Sequence, residues 1–366
     1  MLFRSRGQMN LKIMHIGEYV KGGVATYLQE VVKYQNENRE VLNLKVMLSD
    51  TNSDKNFSMN KEDIEAYPYE RNIKSIIKAM FYVNKNIKEH KPDIIHIHST
   101  FAGFFVRVPL LFQKKRYKVV YCSHGWAFCM ETSALKKKVY EIVERVLATR
   151  TDKIINISSS EHEEALKRGL SYEKCELIHN GISTDLHEGD IEYRIDPSKI
   201  NLLFVGRFDR QKGLDILLKF FESYQNHNIK LHIIGESILN NDDIEIPSNV
   251  VSIGWINHEH IDSYYKLFDA IIIPSRWEGF GLVAIEAMKN KKAIIVSNRG
   301  ALPELANTSN GYVFDLNNLD TLKELLDNLN KEELIVKGLN GFNEFEKKYT
   351  SKKMNTEIIK LYKNIL

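Results

Sequence analysis

The chain has 366 residues, 43% apolar and 27% charged, a composition that excludes wholesale disorder, and its length suggests two domains of roughly 150 to 200 residues. Lysine and arginine number 51 against 48 aspartates and glutamates, so a net charge of +3 gives no ground for nucleic-acid binding. Cys122, Cys129 and Cys175 lack metal-like spacing and fit buried small hydrophobes in a reducing compartment.

No apolar run reaches the ~18 to 20 residues of a spanning helix, and Met1 to Arg6 lacks a signal-peptide core, so a cytoplasmic location is expected. Met9 marks residues 1–8 as a disordered extension or an upstream start.

Leu11 to Ile16 reads as a strand, Gly17 to Gly23 as a loop and Val24 to Asn36 as a helix. The loop lacks the G-x-G-x-x-G spacing of a dinucleotide site, which weakens an oxidoreductase reading. Leu42 to Leu48 is a second strand, and the polar stretch Ser49 to Glu70 has no assignable period. Arg71 to His90 interleaves Ile73, Ile77 and Phe81 with Lys74, Lys78, Lys85 and Lys88, an amphipathic basic helix. Pro92 to His98 is a buried strand ending in His96-Ile97-His98. Two histidines on one face can suggest a metal, but no third ligand is evident nearby, and a sheet-end pair beside a substrate cleft is favoured.

Thr100 to Phe112 reads as a helix running into Lys114-Lys115-Arg116, and Tyr117 to Ser123 as a strand finishing at His124-Gly125. A histidine at the carboxyl end of a parallel strand stands where ligands of such sheets bind. Leu135 to Thr149 is a helix opened by Lys136-Lys137-Lys138, and Lys153 to Ile157 a strand. Ser158 to Glu161 caps the helix that Gly169 ends. Cys175 to Ile178 closes this half, and the charged stretch from Ser183 to Ser198 reads as a link.

A second alternation begins at Asn201 to Gly206. Arg207 and Lys212 follow on the loop and at the next helix start, where a guanidinium fork and a compact ammonium can both reach one diphosphate. Leu231 to Gly235 and Val250 to Gly254 are strands, His258 to Phe268 a helix and Ala270 to Ile273 a buried strand. Next comes Trp277-Glu278-Gly279-Phe280-Gly281, whose glycines permit close backbone approach, and then a helix from Leu282 that carries Glu286. Helix-start amides suit an anion, and two flanking acids suit sugar hydroxyls. Ala293 to Ser297 and Gly311 to Phe314 are strands; Leu302 starts a helix, and Leu319 to Leu329, Lys331 to Phe345 and Ser351 to Ile365 are helices.

The paired glutamates Glu278 and Glu286, with seven residues between them around Gly279-Phe280-Gly281, resemble the signature of the retaining glycosyltransferases of family 4, as does Gly206-Arg207 to Lys212-Gly213. The resemblance implies a GT-B fold: α/β, two doubly wound Rossmann-like domains facing across a cleft. Its expected parts are an acceptor domain over residues 1–185, a nucleotide-sugar domain over 186–350, and a terminal helix over 351–366 that crosses back to the first. His179 stands where the family has proline before Asn180-Gly181.

The resemblance also implies roles. Arg207, Lys212 and the backbone of Gly279, Phe280, Gly281 and Leu282 hold the diphosphate, and Glu286 the ribose. Glu278 and His124 contact the sugar, His124 as a hydrogen-bond donor, while Ile256, with Trp255, meets the base and Gly22 and Gly23 face the diphosphate and acceptor. Without a D-x-D triplet, no metal or other cofactor is expected, and basic residues stabilise the leaving group.

The expected reaction moves a sugar from a nucleoside diphosphate, uridine before guanosine, to a hydroxyl of a glycan or lipid-linked glycan in bacterial-type surface polysaccharide synthesis. Rival readings are a nucleotide-sugar epimerase and a catalytically silent glycosyltransferase-like partner. The basic stretches suit peripheral contact with an anionic membrane at the inner face of the cell membrane, and ordinary solvated helix faces also explain them.

Overall fold

The computed structural model describes residues 11–38, 41–187, 189–236 and 245–366, so the expectation for residues 1–8 lies outside it. The chain divides into two compact units. The first runs to Ser183 and regains the chain at Ser351–Leu366; the second is Thr184–Thr350.

The first unit contains β1 (Leu11–Gly17), α1 (Gly23–Glu37), β2 (Val41–Ser49), β3 (Ile64–Tyr67), α2 (Ile73–His90), β4 (Ile94–His98), α3 (Thr100–Leu110), β5 (Lys118–Cys122), α4 (Ala134–Ala148), β6 (Lys153–Asn156), α5 (Ser159–Lys167) and β7 (Cys175–Leu177). All pairings are parallel, in the order β3-β2-β1-β4-β5-β6-β7. Apolar runs such as Ile94 to His98 are buried along their whole length because helices cover both faces. Ser158 caps α5 as expected, its hydroxyl accepting from the Glu161 amide at 3.1 Å.

Two readings need correction. The stretch from Ser49 to Glu70 holds β3, a four-residue edge strand whose single fully buried side chain, Tyr67, gives too little pattern to detect. Cys129 is exposed, whereas Cys122 and Cys175 are buried.

The second unit contains β8 (Ile200–Val205), α6 (Leu214–Ser223), β9 (Ile229–Ile234), β10 (Val250–Gly254), α7 (Ile261–Leu267), β11 (Ala270–Ile273), α8 (Leu282–Lys289), β12 (Ala293–Ser297), α9 (Leu302–Leu305), β13 (Gly311–Phe314), α10 (Asp320–Asp327) and α11 (Lys331–Lys348). Its six parallel strands run β10-β9-β8-β11-β12-β13. The order reverses between β8 and β11, and in the first sheet between β1 and β4. Ligands of doubly wound sheets bind outside the carboxyl ends of the strands at such a reversal.

The last helix, α12 (Ser351–Ile365), packs on α1 in the first unit. Asn355 donates to the Glu30 carbonyl and the Ser351 amide to the Ile182 carbonyl. No described helix is long and apolar enough to cross a membrane.

Candidate functional site

The loops leaving β8 and β11 meet at the strand-order reversal of the second unit. Gly213, at φ 72°, closes the first loop against the second: a β-carbon there would overlap the Pro274 carbonyl oxygen. The Arg276 amide donates to the Gln211 carbonyl at 2.8 Å, and the Gln211 side chain to the Trp277 carbonyl at 3.2 Å. Arg276 is forked onto Asp215 at 2.6 and 2.7 Å, which locks the β11 loop to α6.

This clamp brings Lys212 and Glu278 together, Nζ to Oε2 at 2.7 Å, and Ser275 Oγ donates to the same carboxylate oxygen at 3.3 Å. Phosphate for the lysine and sugar for the glutamate are separate expectations in sequence; the fold puts the two side chains in direct contact. An ammonium has three N–H donors, so Lys212 can keep Glu278 and still reach an anion. The Glu278 backbone is fixed by Gly300, φ 55°, where a β-carbon would overlap the Glu278 carbonyl, and by the Ala301 amide, which donates to that carbonyl at 3.1 Å.

Arg207 is half exposed and lies on the β8 loop, held by Asp209 at 3.0 Å and Gln211 at 3.3 Å. The Phe280 ring is buried edge-on to Tyr349, so its contribution to a ligand is backbone alone. Gly281, φ 104°, begins α8 with no side-chain cap and no acid in the first turn, which leaves the helix start near Leu282 uncapped by any side chain. One turn on, Glu286 accepts from the Tyr265 hydroxyl at 2.9 Å. Ile256 is half-buried and Trp255 exposed just past β10, at the same carboxyl edge of the sheet.

In the first unit Gly22, φ 57°, begins α1 and Gly23 is its first residue, both exposed, again with no side-chain cap or first-turn acid. His124 follows β5 at φ 54°. Its Nε2 lies 2.9 Å from His98 Nδ1, and its Nδ1 3.6 Å from Cys122 Sγ. His98 Nε2 continues to His15 Nδ1 at 2.9 Å, and His15 Nε2 to Gln35 Oε1 at 2.9 Å. On the far side of Gln35, Tyr362 Oη lies 2.6 Å from His96 Nδ1.

Burial pushes the His124 pKa down to about 3 and His15 to about 4, and lowers His96 and His98 strongly, so the rings are neutral. With neutral rings the Gln35 oxygen orders every proton. It accepts from His15 Nε2–H, His15 Nδ1 accepts from His98, and His98 Nδ1 accepts from His124 Nε2–H. The expectation that His124 donates to a ligand is therefore corrected: its one ring N–H is spent inward, and Nδ1 carries the lone pair beside a thiol.

The expectation of no third ligand near His96 and His98 is corrected as well. His15 pairs in register with His96 on the neighbouring strand, and one nitrogen from each of His15, His96 and His98 lies within 4.8 Å of the others. The 80 residues between His15 and His96 hide this in sequence; only the β1–β4 pairing reveals it.

Residues 21–186 match the family Glycosyltransferase Family 4, and residues 190–349 match the family Glycosyl transferases group 1. A 41.2 kDa protein in the cps region of Klebsiella pneumoniae is 36% identical, over 87% of this chain and 89% of that protein. This chain belongs to glycosyltransferase family 4. The glycosyltransferase is also 27% identical, over 75% of its length and 78% of the relative's, to the UDP-Gal:alpha-D-GlcNAc-diphosphoundecaprenol alpha-1,3-galactosyltransferase of Escherichia coli. Solved structures share its GT-B fold. Sucrose-phosphate synthase of Thermosynechococcus elongatus superposes with a TM-score of 0.79 at 18% identity, covering 97% of this chain and 99% of that one. Anabaena HepE in complex with UDP-glucose gives 0.78 at 17%, covering 97% and 100%.

Proposed function

We propose that this glycosyltransferase moves a sugar from a UDP-sugar to a hydroxyl of a lipid-linked glycan, with retention at the anomeric carbon, in bacterial surface polysaccharide synthesis. The observation that carries the reading is the Lys212–Glu278 contact at the β8–β11 reversal, flanked by Arg207 and the uncapped start of α8. The relative's UDP-Gal donor and diphosphoundecaprenol-linked acceptor support the donor and acceptor classes, and the UDP-glucose complex of HepE supports the nucleotide.

Arg207 and Lys212 neutralise the diphosphate as the bond from its oxygen to the sugar carbon breaks, and the electron pair leaves with UDP. The acceptor oxygen bonds the same carbon and its proton departs. Phe280, Gly281 and Leu282 supply backbone amides to the phosphates, and Glu286, already oriented by Tyr265, takes the ribose hydroxyls. Glu278 orients the sugar. Backbone at Ile256 meets the base, Gly22 and Gly23 admit a phosphate or acceptor to the start of α1, and His124 accepts a substrate hydroxyl at Nδ1. No metal takes part in this scheme, because two cations already stand at the leaving group. The enzyme works in the cytoplasm, peripherally on an anionic membrane that carries its acceptor.

A thermal-shift screen with UDP and GDP tests the donor, with stabilisation by UDP expected. The anomeric proton coupling of the product, read by NMR, tests retention. An inverted product refutes that part of the reading.

A further inference from the structure

Helix α4 is amphipathic the wrong way round for a helix facing water. Both of its acids point inward: Glu144 lies buried against the Arg107 guanidinium at 3.0 Å and the Tyr121 hydroxyl at 3.1 Å. Glu141 is buried under Lys138 at 2.7 Å and Arg168 at 3.5 Å. Meanwhile Leu135, Val139, Ile142 and Val146, spaced four, three and four residues apart along one side, stand in solvent, Leu135 at 76% exposure. Lys136 and Arg145 flank this stripe, also exposed.

Helix α2 repeats the pattern. Ala79, Val83 and Ile87 face the core, while Ile73, Ile77 and Phe81 form a second outward stripe, Ile73 at 77% and Phe81 at 71% exposure. Exposed Lys74, Lys78 and Lys85 run beside it, and the helix has one acid, Glu89, in its last turn. Helix α3 packs against both α2 and α4, so the two stripes flank it on one side of the sheet. Just past its end Phe112 is 85% exposed, followed by Lys114-Lys115-Arg116.

Scattered exposed apolar side chains need no explanation, but two stripes on helices that share α3 as a neighbour, bordered by lysines and nearly free of outward acids, do. We propose that the α2–α4 face docks on an anionic bilayer, with Phe81, Ile77, Leu135 and Val139 inserted at the acyl boundary and the lysines reaching up to lipid phosphates. Lysine stems cover apolar surface while their ammonium heads meet the headgroups. A second copy of this chain fits poorly, because apposing two such faces sets lysine against lysine with almost no acid to answer. The Arg107–Glu144 and Glu141 pairs have a purpose in this arrangement: they take negative charge away from the surface that meets anionic lipid.

The proposal rests on the reading that the acceptor is lipid-linked, and it goes further by making apolar insertion, rather than charge alone, the anchor. Each inserted side chain contributes on the order of tenfold to partitioning. Charge attraction falls with salt, whereas insertion does not.

The test is co-sedimentation of the full chain with vesicles of phosphatidylcholine containing or lacking phosphatidylglycerol, at low and high sodium chloride, beside UDP affinity of the same samples. The wild type binds phosphatidylglycerol vesicles and retains part of that binding at high salt. The double variant Phe81→Ser, Leu135→Ser loses roughly 100-fold in partitioning, with UDP affinity and melting temperature unchanged. Lys74→Glu with Lys78→Glu abolishes the preference for anionic vesicles and leaves the salt-resistant part. Absence of vesicle binding by a wild type that binds UDP overturns this inference alone. So does a double variant that partitions like the wild type, or one whose only change is to dissolve a dimer in sedimentation velocity. Loss of UDP binding with vesicle binding intact instead strikes the enzymatic reading.

Discussion

Replacing Lys212 by alanine removes a cation that the structure holds 2.7 Å from Glu278, in a pair whose side chains are only 19% and 12% exposed. Two effects follow, of different size. For stability, Glu278 keeps its hydrogen bond from Ser275 and some access to water, so the folded state loses about 1 kcal/mol. For a domain of this size that is a fall in melting temperature of about 2–4 °C. For catalysis, the charge that meets the departing diphosphate is gone from a preorganised position, which costs about 3–4 kcal/mol in the barrier. Since each 1.36 kcal/mol is tenfold in rate, kcat falls by about 10²–10³. Lys212→Arg keeps the charge but substitutes a planar fork for a compact ammonium, and should recover only part of the loss. Steady-state transfer at saturating donor, with melting curves on the same samples, reads both effects. A Lys212→Ala enzyme within about threefold of wild-type kcat would refute the assignment of the leaving group to this residue.

Glu278→Gln preserves shape and an acceptor for Lys212 but deletes the charge, so turnover should drop by about 10²-fold while UDP affinity holds; intact turnover would exclude an essential carboxylate. Transfer should persist in excess EDTA, because Arg207 and Lys212 serve the leaving group; complete loss that added magnesium or manganese restores would contradict this. The buried histidines predict acid sensitivity. Their folded pKa values lie below the unfolded value of about 6.5, so their stabilisation is complete above that pH. It declines as pH falls toward about 4 for His15 and about 3 for His124. Each ring withdraws on the order of 1 kcal/mol by pH 5.5, so a melting temperature that stays flat from pH 7.5 to 5 would show that the rings do not stay neutral.

The alternation of strands and helices was legible because parallel strands covered on both faces are continuous apolar runs, and Ile94 to His98 and Ala270 to Ile273 announce themselves this way. The Glu278–Glu286 motif was legible because its parts are contiguous. Neither the Lys212–Glu278 contact nor the His15–His98–His124 chain could be read, since each depends on which strands become neighbours, β8 with β11 and β1 with β4. The direction of the His124 hydrogen bond needed a further step, because Gln35, on a helix far along the chain, sets it through two other rings. The basic character of α2 and α4 was visible in sequence. That α4 buries its acids and exposes Leu135, Val139, Ile142 and Val146 was not, because Glu141 and Glu144 find Arg168 and Arg107 on other helices or just past them.

The most direct measurement is a calorimetric titration of UDP into the wild type and into the Arg207→Ala, Lys212→Ala double variant. A single saturable site in the wild type, weakened by about 100-fold or more in the variant, is the predicted result. Equal affinity in the two proteins, or no binding of UDP by the wild type, would contradict it.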